Sequence, residues 1–154
     1  MRLLACLLLL PFALAGCNRG DPVRPATPHV ASSATATLGD AVVHASAVAM
    51  ADLNPAVAGN YGIASGQPGL LLLVTVRDAA GDAQDAGDLR LRATATPLGE
   101  VARTLELRRI QTGGLTDYVG EVRVAPPANV QFRVEAIRGG ARAQMAFNAE
   151  LQRR

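Results

Sequence analysis

The strongest constraint on the fold is the regular alternation of apolar and polar residues on either side of Gly139-Gly140. In residues 129–138 and again in residues 141–151, apolar side chains stand at every second position. A period of two is that of a β-strand with one buried and one solvated face. A Gly-Gly pair between two such strands favours a two-residue hairpin turn. The chain is therefore predicted to end in an antiparallel hairpin.

Similar segments precede this hairpin at short spacing. Residues 89–96 alternate cleanly, whereas residues 70–77 are apolar on both faces. Asn54-Pro55 predicts a short helix over residues 55–59, because Asn is a favoured N-cap and Pro suits the first helical position. We predict an all-β fold, an antiparallel two-sheet sandwich of about seven strands with one short helix. The predicted strands span residues 40–50, 70–77, 89–96, 101–111, 117–124, 129–138 and 141–151.

One predicted strand contains a break in its alternation. In residues 101–111, Leu105 and Leu107 share a face, but Ile110 has the opposite parity. A β-bulge near Arg108-Arg109 would restore the register, because a bulge adds one residue to one strand of a pair. We therefore expect a continuous, bulged strand here.

The first residues have the features of a secretory signal. Arg2 precedes an apolar run, and the small residues Ala15-Gly16 precede Cys17. The run is shorter than the about 20 apolar residues that a membrane-spanning helix needs. The segment from Leu14 to Cys17 resembles the lipobox of bacterial lipoproteins. That resemblance implies cleavage before Cys17 and acylation of its thiol, which would make membrane lipid a partner through acylated Cys17.

These features divide the chain into three parts. Residues 1–16 are the predicted lipoprotein signal peptide, residues 17–38 a flexible tether rich in Pro, Ala, Ser and Thr, and residues 39–152 the β-sandwich domain. The tether lacks the apolar surface that would offset the entropy of ordering it. Asn18 stands where Asp commonly retains a lipoprotein in the inner membrane. We therefore expect a periplasm-facing protein with a lipid anchor, and the outer membrane is favoured.

The composition argues against several classes of ligand. The chain has 15 basic residues, all arginine, and 13 acidic ones, scattered along the sequence. Such balanced charge predicts no nucleic-acid partner. The sequence contains two tyrosines, three phenylalanines and no tryptophan, so few rings are available to stack on sugars or bases.

Several segments taken together resemble the DUF4426 family of small exported proteobacterial proteins. They are Val43-His44-Ala45, residues 53–58, Tyr61-Gly62-Ile63, residues 69–72, residues 105–110, residues 118–121 and Phe147. The resemblance implies an immunoglobulin-like sandwich and a periplasmic location. Alanine follows His44 where the family pattern has Tyr-Asn. The family has no established activity, so the resemblance supplies no catalytic residue.

No group of residues predicts catalysis or a metal site. His44 and Ser46 lie side by side on one strand face, and a working triad also needs an oxyanion hole and a group that orients the base. We expect a structural role for His44, such as a bond to the segment near Tyr61. We predict that the protein is not an enzyme and has no cofactor or metal. The acidic loop lacks the spacing of a calcium-binding EF-hand and is expected to be solvated; it contains Asp78, Asp82, Asp85 and Asp88.

Two other groups are candidates for an interaction or a structural role. One is a capped helix that would protect a sheet edge, the preferred interpretation, or shape a groove for a peptide. The second is a set of arginines that would pair with nearby glutamates or, sharing an exposed face, would bind an anionic partner. The helix group is Asn54, Pro55, Tyr61 and Gly62, and the arginines are Arg90, Arg92, Arg108 and Arg109.

These observations leave two main hypotheses. The preferred one is a non-enzymatic, lipid-anchored periplasmic module that presents a sheet face or an edge strand to an unknown envelope protein. The alternative is a small-ligand or lipid-binding domain with an apolar cavity between its sheets. Small residues such as Ala45, Ala93 and Ala143 would leave that space, or would instead let the sheets approach closely. An enzyme is a distant third.

Replacing Cys17 with Ser removes the thiol that the lipobox would acylate. We expect the acylated mature form to disappear from the membrane fraction, because acyl chains hold a protein by about 0.8 kcal/mol per buried methylene. Fractionation followed by mass spectrometry of the N-terminus measures this. Cys6→Ser, inside the predicted signal, is the control and should change nothing. A C17S chain found wholly in membranes at the mature mass would contradict the prediction.

Overall fold

The computed structural model describes residues 32–64 and 66–153, which form nine strands, one α-helix and a 3-10 turn. The predicted signal peptide, Cys17 and residues 18–31 of the predicted tether lie outside the described residues. In chain order the elements are β1 (Ser33–Leu38), β2 (Ala41–Ala49), the 3-10 turn (Met50–Asp52), α1 (Pro55–Asn60), β3 (Leu70–Arg77), β4 (Arg90–Pro97), β5 (Arg103–Leu105), β6 (Arg108–Thr112), β7 (Leu115–Val122), β8 (Ala128–Arg138) and β9 (Ala141–Leu151).

The strands form two sheets that pack face to face. Sheet A has the order β1-β2-β3-β7-β6 and sheet B the order β5-β4-β8-β9, and each neighbouring pair is antiparallel. The predicted all-β, two-sheet sandwich with one short helix is confirmed. The strand count is nine rather than about seven, and two parts of the chain account for the difference.

The first difference lies in residues that the composition assigned to the tether. Ser33–Leu38 instead forms β1, which pairs with β2 from Ser33 opposite Ser46 to Leu38 opposite Ala41. Apolar residues alternate with Ser and Thr in this segment, and Leu38 at its end is 1% exposed. The buried Leu38 and a full strand partner offset the ordering entropy, and neither is visible in the composition of the segment.

The second difference concerns the predicted bulge near Arg108-Arg109, which is wrong. The chain forms two strands here: β5 pairs with β4 in sheet B, and β6 pairs with β7 in sheet A. The change of parity marks the passage from one sheet to the other. The crossing chain needs room beside Gly120, where an added Cβ would lie 3.0 Å from Leu107 Cδ2.

The core lies between the inward faces of the two sheets. Phe132 of β8 is fully buried, and its ring stacks on that of Phe147 with 5.4 Å between the centroids. Ala45 and Ala93 are buried in the same cluster of side chains as Leu72 and Phe132. This packing supports the interpretation that the small residues bring the sheets close together, rather than leaving a cavity.

Replacing Phe132 with Ala removes the largest fully buried side chain. We expect the free energy of unfolding to fall by about 3–5 kcal/mol, because the lost burial and the new cavity add. Urea denaturation of the purified protein measures this. Leu98, which is 85% exposed, supplies the control: L98A should change stability by no more than about 0.5 kcal/mol. An equal loss of unfolding free energy in F132A and L98A would contradict this position of the core.

Candidate functional site

The predicted capped helix is present and begins as the sequence indicated. The Asn54 side chain accepts a hydrogen bond from the backbone N–H of Ala56 at 2.9 Å, and Pro55 is the first residue of α1. After the helix Gly62 adopts a φ of 64°, in the left-handed region. The turn is closed by the backbone N–H of Ile63, which donates to the Ala58 carbonyl at 2.8 Å.

This segment covers the outer face of sheet A, not an edge as the sequence suggested. Met50, Ala58 and Ile63 are buried and pack on Leu71 of β3 and Val119 of β7. Those two strands are interior members of sheet A. The helix therefore shields apolar side chains that would otherwise be exposed on the second face of the sheet.

Polar contacts hold the segment that contains α1 against the sheet. The Tyr61 hydroxyl donates to Asp117 Oδ2 at 3.4 Å, and Arg77 Nη2 lies 3.0 Å from Asp117 Oδ1. Arg108 Nη2 donates to the Tyr61 carbonyl at 2.9 Å and to Glu121 Oε1 at 3.2 Å. Burial, followed by the negative charge of Asp117, raises the pKa of Tyr61, so the hydroxyl stays a protonated donor. The role of these polar contacts is therefore structural.

Two of the predicted residues take no part in the polar contacts that hold α1. His44 Nδ1 shares a hydrogen bond with Thr35 Oγ1 at 2.8 Å, so it binds β1 and not the segment near Tyr61. The expected bond to that segment is wrong, because Thr35 belongs to a strand that the sequence analysis did not predict. Arg109 stands next to Arg108 in β6 and therefore points to the opposite side of the sheet.

The aspartates of the loop before β4 hold backbone turns together. Asp78 Oδ1 accepts from the N–H groups of Ala80 at 2.8 Å and of Asp82 at 2.9 Å. The carboxylate of Asp88 accepts from the N–H of Gly139 at 3.1 Å. The loop is the solvated turn that the sequence predicted, with Asp82, Asp85 and Asp88 exposed, and its aspartates in addition accept hydrogen bonds from backbone donors.

Arg138 joins three turns at this end of the sandwich. Its guanidinium forms an ion pair with Asp40 in the β1–β2 turn and donates to the Leu38 carbonyl at 3.5 Å and to the Asp85 carbonyl at 3.3 Å. The hydrogen bond from Arg138 holds the pKa of Asp40 below its ordinary value of 3.8. The sequence did not single out Arg138, because its partners are 53 to 100 residues away along the chain.

The four arginines singled out in the sequence do not share one exposed face, and Arg108 instead pairs with Glu121, as the other interpretation expected. Arg90 and Arg92 lie on β4 in sheet B, whereas Arg108 and Arg109 lie on β6 in sheet A. The passage of the chain between sheets after β5 separates the two pairs. A different set shares the outer face of sheet B, and we call it the arginine face: Arg90, Arg92, Arg133 and Arg142.

The strand register arranges the arginine face in three cross-strand rows. Across β4, β8 and β9 the rows are Arg90–Ile137–Arg142, Arg92–Glu135–Gln144 and Thr94–Arg133–Ala146. Alternate residues of a strand are about 6.7 Å apart and neighbouring strands about 4.8 Å apart, so the patch measures roughly 13 by 10 Å. Four arginine side chains therefore leave the sheet within a small area.

Two depressions lie along this face. The larger, of about 640 Å³, has Thr94, Arg133 and Gln144 in its lining, and the smaller, of about 330 Å³, has Arg90 and Arg142. Both are lined by Arg92 and Glu135. Glu135 Oε1 lies 3.2 Å from Arg142 Nη1 and neutralises part of the charge. Guanidinium, hydroxyl and amide groups suit recognition of an anion with hydrogen-bond acceptors.

The described residues contain neither a metal-binding cluster nor a membrane-spanning helix. In residues 32–64 and 66–153, no three His, Cys, Asp or Glu side chains lie close enough together to hold a metal ion. Within the same ranges, no helix is long and apolar enough to span a bilayer.

Comparison with known proteins identifies the family. The profile described as "Domain of unknown function (DUF4426)" matches residues 35–152. The chain belongs to the DUF4426 family. The resemblance seen in the sequence is therefore confirmed, and the matched region includes most of β1 and all the strands that follow.

Solved structures show the same fold. A DUF4426 family protein from Pseudomonas aeruginosa PAO1 is 18% identical, with a TM-score of 0.61 over 79% of this chain and 95% of that one. FetP of uropathogenic Escherichia coli strain F11, expressed recombinantly in the periplasm of E. coli, is 8% identical, with a TM-score of 0.52 over 77% and 93% of the two chains. No curated protein matches the sequence. At these identities the likeness shows the fold alone.

The contact of Asp40 with Arg138 predicts a pH-dependent stability. Because the folded-state pKa of Asp40 is lowered, the charged carboxylate stabilises the fold above its ordinary pKa, and this stabilisation is lost as pH falls through the lowered value. We expect D40N to lower the melting temperature at neutral pH, with a difference from the unmodified protein that disappears in strong acid. Asp82→Asn, at an exposed position, is the control. A melting temperature of D40N that is lowered by the same amount at every pH would contradict this assignment.

Proposed function

We propose that this DUF4426 protein is a non-enzymatic, lipid-anchored interaction module of the cell envelope. Acylated Cys17 would hold it to the outer membrane, and the β-sandwich would face the periplasm. The export signal and the lipobox resemblance of residues 14–17 support the anchor. FetP, which shares the sandwich fold, was expressed in the periplasm, and this is in keeping with the proposed compartment.

The observation that carries the proposal is the contrast between the outer faces of the two sheets. On sheet A the outward side chains Leu71 and Val119 are buried beneath the segment that contains α1. On sheet B, Arg92, Arg133 and Gln144 are exposed, and no other element packs over them within the described residues. The first face is used to stabilise the domain, and the second is left available to a partner. Arginine is among the residues enriched at protein interfaces.

The sheet face is a better binding surface than the strand edges. On one side of the sandwich, edge strand β1 of sheet A lies close to edge strand β9 of sheet B. On the other side the edge strands β5 and β6 have three and five residues. Short or covered edges are the devices by which proteins prevent strand addition. We therefore place the partner on the face of sheet B.

Site-specific cross-linking in living cells tests this function. A photoreactive amino acid at Thr94 or Gln144, both on the face of sheet B, is expected to capture the same envelope protein. The same amino acid at Thr37, an exposed position on β1 of sheet A, is the control and should not capture it. If no position on the domain captures an envelope protein, the proposed function is wrong.

A further inference from the structure

We propose that the arginine face docks an extended acidic segment of a partner protein, in which carboxylates alternate with uncharged residues. This inference rests on the proposed function and names the surface and the chemistry of the partner. Four observations lead to it: the local charge, the spacing of the rows, the shape of the face and the uncharged polar groups between the arginines.

The charge of the arginine face is unbalanced, although that of the chain is nearly balanced. Four arginines share this area with one carboxylate, Glu135, which already pairs with Arg142. Two further carboxylates lie beyond the ends of the face: Asp88, two residues before Arg90, accepts from the Gly139 N–H, and Glu150 lies two rows beyond Arg133, at about 13 Å. Arg90 and Arg92 are exposed and make no ion pair within the described residues. A negatively charged partner would complement this area.

The spacing of the rows matches that of an extended peptide. Arg90 and Arg92 are alternate residues of β4, so their side chains leave the sheet about 6.7 Å apart. Carboxylates at alternate positions of an extended chain have the same separation, since the period of the backbone is the same. A peptide lying along β4 would therefore meet successive guanidinium groups. Each planar guanidinium can bind a carboxylate through two hydrogen bonds.

The shape of the face favours a polypeptide over a membrane surface. The arginines line two adjoining depressions, and a depression accommodates a chain segment better than it accommodates a flat bilayer. Glu135 lines both depressions, and its carboxylate would face the phosphates of an anionic bilayer directly. A peptide that lies along β4 keeps its carboxylates over the arginines of that strand, one strand away from Glu135 of β8. Thr94, Thr104 and Gln144 in the larger depression supply hydroxyl and amide donors for the carboxylates and backbone carbonyls of the peptide.

A direct test measures binding of a defined probe to the mature, acylated protein held in nanodiscs of zwitterionic lipid. The probe is a fluorescent peptide of alternating Glu and Thr, and its anisotropy is recorded at low salt. We expect binding that weakens as salt is added, because exposed charges are screened. Arg90→Gln combined with Arg92→Gln should weaken it by roughly tenfold, since each exposed pair contributes up to a few-fold.

The matched control is Arg123→Gln, which removes one exposed arginine beyond the end of β7 on sheet A. It should bind the probe like the unmodified protein. A peptide of alternating Gln and Thr should not bind. The melting temperatures of all variants should agree, because the substituted side chains are exposed. Failure of the acidic peptide to bind at low salt, or equal binding to the double variant, would overturn the proposal.

Two other occupants of the face give different results, and either would overturn the proposal. Binding to a membrane is detected with a fluorophore attached at Ala146→Cys, which lies on this face. The protein is held in phosphatidylglycerol nanodiscs that contain a spin-labelled lipid. Quenching of the fluorophore that is abolished in the arginine double variant would assign the face to lipid. A second copy is detected by sedimentation, as self-association that the double variant loses.

The cross-linking experiment separates this inference from the proposed function. If positions outside sheet B capture an envelope protein while Thr94 and Gln144 do not, the docking surface is wrong and the function stands. If no position captures a protein, the function itself fails. Capture at Thr94 of a protein whose cross-linked peptide is acidic agrees with both.

Discussion

The pairing of β8 with β4 on one side and with β9 on the other is the interaction on which the rest of the structure depends. Its register directs Val130, Phe132 and Val134 into the core, where all three are buried. A shift of one residue would turn these side chains to solvent and drive Arg133 inward, at the cost of burying a charge. The same register places Arg133 in the row next to Arg92. The hydrophobic core and the charged outer face of sheet B therefore have one cause.

The two outer faces of the sandwich differ because their strands differ in polarity. β3 is apolar at both parities, so Leu71 on its outer side needs cover, and the 3-10 turn and α1 supply it. Burial of such apolar surface stabilises the domain by about 25 cal/mol per Å². β4 carries Arg and Thr at its outward positions and needs no cover. The composition of two strands thus separates a face that stabilises the domain from a face that remains available for binding.

Several elements follow from local pattern, and others were missed for identifiable reasons. The final hairpin and β4 are present where the alternation predicted them, and α1 begins at Pro55 because Asn54 caps it. β1 was missed because its small residues share the composition of a linker, although they alternate in period two. In the predicted bulge, the parity change was a correct observation, but its cause is the passage of the chain from sheet B to sheet A. Among the residues whose polar contacts hold α1, the sequence pattern identified Tyr61 but not Asp117, because nothing local distinguishes that carboxylate.

The sequence alone determined most of the strands and turns and which side chains share a face of each of those strands, because these features depend on residues two to four positions apart. Membership of the family was equally visible in short segments of the chain. Only the tertiary structure decided which strands are neighbours and which faces meet. Arg77 and Asp117 are 40 residues apart, and Arg90 lies opposite Ile137, 47 positions further on. Such pairs are selected by the burial of the whole core, so the arginine face could be located only after the sheets had been assembled.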